Sequence, residues 1–427
     1  MREMKDSGIE WIGEIPVGWD ILPVKRFFRH TKRVVGSAVD EYERLALTMN
    51  GVIKRSKDDS EGLQPEKFEG YQILKENELV FKLIDLENVK TSRVGLSPYT
   101  GLVSPAYIVI TNNKKDNRFY YYWFMFMYYN EIFNHLGGEG VRSALNAKDV
   151  LSLPVPAISD EMMTNISTYL DTKCEKIDSI IARQQEVIEK LKAYKLSVIT
   201  EAVTKGLNPD VQMKDSGVEW IGDVPEHWEI CKFKFLGKFV NGYAFPSSAF
   251  KSVGVRVMKI ANIQPMSISW EDESFVDDEY LKLTNYLVCK GDLVFALTRP
   301  IINGGIKVAI ADNTEKVLLN QRNAMFKGQK QITTKWQYYL MQNNMFVQEF
   351  ALYIDGTGQQ PNISTNEIAN IPIPVPAISE QQQIADYLDK KCSAIDSTIT
   401  KKQAIIEKIT EYKKSLIYEV VTGKREV

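Results

Sequence analysis

The sequence predicts an α+β protein built by internal duplication, in which two globular domains are joined by two long antiparallel coiled-coil helices about a pseudo-twofold axis. Three observations carry this prediction. One tryptophan-bearing segment is written twice; the middle of each repeat alternates apolar and polar residues in short β-branched runs; and each repeat closes on a long stretch without Pro or Gly that steps in heptads.

The repeat is read directly. MKDSGIEWIGEIPVGWDI, Met4 to Ile21, returns as MKDSGVEWIGDVPEHWEI, Met213 to Ile230, at a shift of 209 positions. LSLPVPAIS, ending at Ser159, matches IPIPVPAIS, ending at Ser379, and YLDTKCEKID from Tyr169 matches YLDKKCSAID from Tyr387, at shifts of 218 to 220. Between these ends a weaker trace survives at a shift of 214: NELVFKL (Asn77 to Leu83) against GDLVFAL (Gly291 to Leu297), and RVGL from Arg93 against KVAI from Lys307. Both middles therefore share one fold. Runs such as AYIVI (Ala106 to Ile110), punctuated by Gly and Pro, predict strands, and helices are expected around Tyr120 to Phe133 and Thr334 to Phe350. The run FYYYWFMFMYY is too continuous for one exposed face and is assigned to the core. Trp11, Trp19, Trp220 and Trp228 are expected to pin each domain to the helices by the same logic of apolar area.

The closing stretches, Asp160 to Val203 and Glu380 to Val421, are rich in strong helix formers. The first seam runs Leu170, Cys174, Ile177, Ile181, Gln184, Ile188, Leu191, Lys195, Val198, Ala202; the second runs Leu388, Cys392, Ile395, Ile399, Lys402, Ile406, Ile409, Lys413, Leu416, Val420. Both step four and three alternately, the signature of a coiled-coil stripe. Ser379 followed by Gln382 reads as a capping box, and Gly206 and Gly423 stand where helices stop. The first helix is about 60 Å long at 1.5 Å per residue. The second tryptophan segment begins soon after its end, and the second helix begins where the second domain finishes, which an antiparallel pair accommodates most simply. The resulting divisions are 1–150, 151–206, 207–371 and 372–427.

Composition narrows the class. Hydrophobic residues make up 44% and charged residues 25%, and there is no apolar run of membrane-spanning length. The start MREMKDSGIEW lacks the apolar core of a signal peptide, so a cytoplasmic setting is expected. Cys174, Cys231, Cys289 and Cys392 form no metal-ligand spacing, and His30, His135 and His227 are scattered, so neither a zinc site nor a disulfide framework is predicted. No nucleotide-binding loop and no Asn-Pro-Pro-Tyr or Asp-Pro-Pro-Tyr stretch is found, and the Gly137, Gly138, Gly140 cluster reads as a loop turn. The net charge of −2 gives no overall basic footprint. Basicity is local instead, at Lys25, Arg26, Arg29, Lys32 and Arg33 and at Lys54, Arg55 and Lys57. An antiparallel pair has a pseudo-twofold axis that can coincide with the local twofold of B-DNA, so two diverged domains could meet one duplex at two different half-sites. From the repeat alone, a coiled-coil architectural adaptor that does not bind DNA stays open as an alternative, and a nuclease is a third.

The succession of a WIG segment, a variable domain, a PxP stretch, YLD…K…ID and a helix ending EKL…Y…S…TEAVTKG, present twice, resembles the specificity subunit of type I restriction-modification enzymes across essentially the whole chain. The resemblance implies two target recognition domains, Val24 to Asp149 and Phe233 to Asn370, each reading one half of an asymmetric bipartite site, with the helices as the ruler that sets the gap. It further implies two methyltransferase subunits and restriction subunits as partners. Catalysis and its cofactors, S-adenosylmethionine, ATP and Mg, would then lie on those partners and none on this chain.

Sequence readout needs Arg or Lys for guanine and Asn or Gln for adenine, best supplied from loops. In the second domain these are Arg299 and Asn303 in TRPIINGG, Gln321 and Arg322 in QRN, and Gln359, Gln360 and Asn362 in GTGQQPN. In the first they are Lys82, Asn88, Lys90 and Arg93, then Arg142 and Asn146 in GEGVRSALN. Each is equally readable as a surface turn residue.

Overall fold

The computed structural model describes residues 2–49, 51–58, 67–84, 86, 93–114, 116–136, 144–356 and 360–427. Contacts divide the chain into two compact units, Met1–Gln184 with Gln403–Val427, and Gln185–Lys402. The division falls within both long helices, so each unit holds one globular domain and half of each helix.

In the first unit α1 (Arg118–Tyr129), α2 (Ile132–Leu136) and α3 (Ala147–Ser152) precede α4 (Asp160–Lys205). One sheet centres on Ile108–Thr111, which pairs antiparallel with Arg29–His30 and with Leu79–Phe81, and the latter pairs with Val94–Leu96. A second sheet sets Gly101–Val103 parallel to Arg44–Thr48 and antiparallel to Gln72–Leu74, with Gly51–Arg55 on the far side of Arg44–Thr48. In the second unit α5 (Thr334–Leu340), α6 (Asn344–Leu352) and α7 (Thr365–Asn370) precede α8 (Ile378–Val421). Its sheets repeat the topology: Asn323–Gly328 lies between Gly237–Asn241 and Leu293–Ala296, which pairs with Val308–Ile310. Val255–Met258 runs parallel to Val317–Leu319, with Phe275–Val276 and Leu287–Val288 at the two edges. Two sequences that share few residues thus fold alike because the pattern of buried strand positions is kept.

Each domain closes at a two-stranded neck. Asp20–Pro23 pairs with Pro154–Ala157, and Glu229–Lys232 pairs with Pro372–Val375. Pro154 is thereby equivalent to Pro372, a shift of 218, and the identical PVPAIS strings align two residues out of structural register. This corrects the capping prediction. Ser159 accepts from the Met162 amide at 3.3 Å at the start of α4, but α8 already begins at Ile378, so Ser379 lies inside its first turn and Ala377 accepts the first bonds instead. The two helices expected in the domains are also each broken. Glu131, at φ +56°, separates α1 from α2, and Asn343 caps α6 by accepting from the Met345 amide.

Within each unit the long helices run antiparallel. In the first, Leu170, Cys174 and Ile177 share one core with Leu416, Ile417, Val420 and Val421, and Lys413 reaches Asp178 at 2.7 Å. In the second, Val198, Ile199, Ala202 and Val203 share a core with Ile384, Leu388 and Cys392, and Lys195 reaches Asp396 at 2.7 Å. Of the predicted seam, Leu170, Ile177, Ile188, Leu388 and Ile395 are buried, while Ile181, Leu191, Ile399, Ile406 and Ile409 are half-buried. Full burial of each such side chain contributes roughly 1.5–3 kcal/mol. All four cysteines are free, and burial pushes the Cys174 thiol up to about 11. No helix among the described residues is long and apolar enough to cross a membrane.

Three tryptophans of the repeated segment are core residues, and Trp11 is half-buried against the first unit's core. Trp19 joins the first unit's core, and Trp220 and Trp228 join the second's. Gly423 ends α8 at φ +73°, and a Cβ there would stand 2.5 Å from Pro16 and 3.1 Å from Trp19. Gly423→Ala should therefore cost about 2 kcal/mol or more, combining left-handed strain with displaced packing. A thermal melt checks this: the midpoint should fall by several degrees, and an unchanged midpoint would show that the helix end can move freely.

Candidate nucleic-acid interface

The second unit assembles a polar surface from three loops. The Leu297 amide donates to the Arg322 carbonyl at 2.9 Å, the Arg299 amide to the Pro361 carbonyl at 2.8 Å, and the Ile363 amide to the Leu297 carbonyl at 3.0 Å. Side chains reinforce the join. Thr298 donates its hydroxyl to Asn362 Oδ1 at 2.6 Å, Asn362 Nδ2 donates to the Gln360 carbonyl at 2.8 Å, and Arg322 donates to Gln360 Oε1 at 2.7 Å. Segments separated in sequence are thus held as one platform.

From this platform projects a hairpin, Ile301–Ile302 paired with Gly305–Ile306. Its turn is Asn303–Gly304, with φ +50° and +77°, the two successive positive values that an Asn-Gly hairpin turn requires. Arg299 at its base also has positive φ, +47°, an uncommon and strained state for a long side chain. Arg299, Asn303 and Gln321 are exposed and make no side-chain hydrogen bond or ion pair to a described residue. Their donors and acceptors face solvent.

The predicted residues of the second domain therefore come together: Arg299, Asn303, Gln321, Arg322, Gln360 and Asn362 lie on or beside this platform, whereas Gln359 lies outside the described residues. Asn362 has both side-chain polar atoms committed internally, so it organises the loop. Sequence reasoning missed three contributors. Thr298 supplies the buried hydroxyl; Lys307, 7% exposed, donates to the Ile260 carbonyl beneath the hairpin; and Ile302 stands exposed near the tip. Burial, and secondly the nearby Arg299 charge, lower the Lys307 pKa. The string IINGGI carried the hairpin signal, an Asn-Gly pair between apolar residues.

The first domain is different. Asn88, Lys90 and Arg142 lie outside the described residues. Lys82 is half-buried, and its amide donates to the Arg93 carbonyl at 2.9 Å. Arg93 itself is corrected: it is 2% exposed and donates to the carbonyls of Ile84 at 3.1 Å and Leu86 at 2.8 Å, so it props the loop from within and does not face solvent. Its equivalent by the 214 shift is Lys307, another buried cation, which holds one carbonyl. Asn146 is also reassigned, since its Oδ1 accepts from the Lys148 and Asp149 amides as the cap of α3, matching Ser364 at the start of α7. The local basic residues divide too. Lys25, Arg26, Arg29 and Lys32 are exposed, whereas Arg33 makes a two-point pair with Glu78 and Lys54 pairs with Glu43 at 2.5 Å. No group of His, Cys, Asp and Glu suited to a metal ion occurs among the described residues.

Residues 225–411 match the family model of the type I restriction modification DNA specificity domain. The MjaVIII type I restriction enzyme specificity subunit of Methanocaldococcus jannaschii is 34% identical over 278 residues, 64% of this chain and 62% of the relative. The EcoAI type I restriction enzyme specificity subunit of Escherichia coli is 29% identical over 208 residues, 48% of this chain and 35% of the relative. The chain thus spans less than two thirds of the length of these relatives. A chain solved in work on complex assembly and conformational transition of the type I R-M system has the same fold, with a TM-score of 0.69 at 13% identity over 95% of this chain and 98% of its own. The resemblance read from the repeated motifs is borne out.

The platform's internal bonds are testable apart from any ligand. Asn362→Ala leaves the buried Thr298 hydroxyl without its acceptor and should cost about 1–3 kcal/mol in denaturant unfolding. Adding Thr298→Val should then cost much less than it does alone, and strict additivity would show that the two side chains do not act as a pair.

Proposed function

We propose that this chain, which matches the type I restriction modification DNA specificity domain over residues 225–411, is the sequence-reading subunit of such a system and is not itself an enzyme. Each globular domain reads one half of an asymmetric bipartite site in double-stranded DNA, and the paired helices set the gap. Two methyltransferase subunits modify adenine, and restriction subunits translocate and cleave. S-adenosylmethionine, ATP and Mg belong to those partners, and the complex works in the cytoplasm of a bacterium or archaeon.

The observation that carries the reading is the second unit's platform. Exposed Arg299, Asn303, Gln321 and Arg322 stand on loops whose backbone is tied at several points, so side chains suited to base edges are presented from a rigid support. A chain of net charge −2 has little general attraction for phosphate, so binding must draw on local charge and matched contacts. The two domains have the same topology and different surface residues, which suits two different half-sites. An adaptor without a DNA role gives no reason for a strained arginine beside a solvent-facing Asn-Gly hairpin.

Selection from random duplexes by the chain with its methyltransferase partner tests this. The expected product is two unlike short motifs at a fixed gap, and no enrichment would sink the reading. Arg322→Ala should relax one motif only, with about 1–3 kcal/mol of discrimination lost at the affected position.

A further inference from the structure

One of the contacts that fasten each globular domain to the long helices recurs in both units. In the first unit, Asp171 of α4 accepts from the Tyr122 hydroxyl at 2.7 Å and from Arg118, both on α1. In the second unit, Asp389 of α8 accepts from the Tyr339 hydroxyl at 2.7 Å and from Lys335, both on α5. The carboxylates are equivalent by the 218 shift, and in each domain the cation precedes the tyrosine by four residues. That spacing places both donors on one helix face, so they converge on one acceptor.

Part of the joint has diverged. Phe126 packs on Tyr418 at 5.1 Å and on Trp11 at 5.9 Å, whereas the equivalent positions in the second unit hold Asn343 and Thr200, 3.4 Å apart. The cation has changed as well, from Arg to Lys. Both joints retain a phenol and a cation on one carboxylate. Burial first, and then the carboxylate, push both phenols well above their ordinary value, so each stays a donor. Apolar packing is non-directional and permits pivoting, but two hydrogen bonds converging on one group fix an angle.

We infer that Asp171 and Asp389 are positioning residues, setting the angle at which each reading domain leaves its helical pair and so the gap between half-sites that the chain accepts. This rests on the reading under Proposed function, and it concerns spacing, not base identity. An error of about 10–20° at the joint is enough to misplace a recognition surface.

The test is binding of the full chain to duplexes that hold its selected half-sites at the native gap and at gaps one or two base pairs shorter or longer. Wild type should prefer the native gap. Asp389→Asn and Tyr339→Phe should reduce that preference about threefold or more while sequence preference within each half is kept, and Asp171→Asn and Tyr122→Phe should do the same. Lys335→Ala, at a half-exposed side chain, carries the test if the aspartate variants do not fold. Undiminished gap preference in the folded variants overturns the inference, as does an equal loss of affinity at every gap, which marks a merely structural role. Failure of the wild-type chain to prefer any sequence or gap is a different result and counts against the function itself.

Discussion

The pairing of α4 with α8 is the constraint from which the rest of the structure follows. Each helix contributes its first half to one unit and its second half to the other, so the first unit is assembled from both ends of the chain around a second unit that is one continuous stretch, Gln185–Lys402. In each unit the apolar seam supplies the bulk of the attraction, and one cross-helix ion pair, Lys413 with Asp178 or Lys195 with Asp396, adds register. The lysines are mostly covered and their aspartates about half exposed, so screening by solvent leaves these pairs modest in energy. Their value lies in placement. A long helix with a narrow stripe can slide by a heptad with little apolar loss, and a cation at one seam position opposite one carboxylate discriminates against the slipped register.

On this pairing each globular domain is mounted by three devices: a buried tryptophan from the repeated segment, a two-stranded neck, and a hydrogen-bonded joint at the first long domain helix. The glycine that stops each long helix belongs to the same arrangement, because Gly423 lies against Pro16 and Trp19, and Gly206 against Glu380 and Trp228. Sheets and loops are then free to vary without disturbing the mount. The second unit shows the outcome, with an elaborated platform and hairpin on a scaffold whose strand order matches the first.

What could be read from the amino-acid order follows the physics of each feature. The repeat, the heptads and the helix-stopping glycines were legible because they depend on local spacing and residue type. The burial of the tryptophans followed from their apolar area. The PVPAIS identity misled by two residues, since strand pairing at the neck, a long-range contact, fixes the true register. Helix breaks at Glu131 and Asn343 were invisible because an apolar run does not announce a change of direction. Arg93 and Asn146 looked like loop residues and proved to be supports, one tied to carbonyls and one to amides, for which the surrounding fold must be known. Among the described residues the second domain's candidates converged, as its hairpin carried an Asn-Gly turn that sequence can show.

The most direct measurement of the account adds length to the pairing itself. Four helix-forming residues inserted in both helices, between Gln184 and Gln185 and between Lys402 and Gln403, lengthen each by about 6 Å and turn it by about 40° beyond a full turn, close to one base-pair step. Selection from random duplexes by this lengthened chain should return the same two motifs with the gap increased by one or two base pairs. The same motifs at the original gap would contradict the claim that the helices set the spacing.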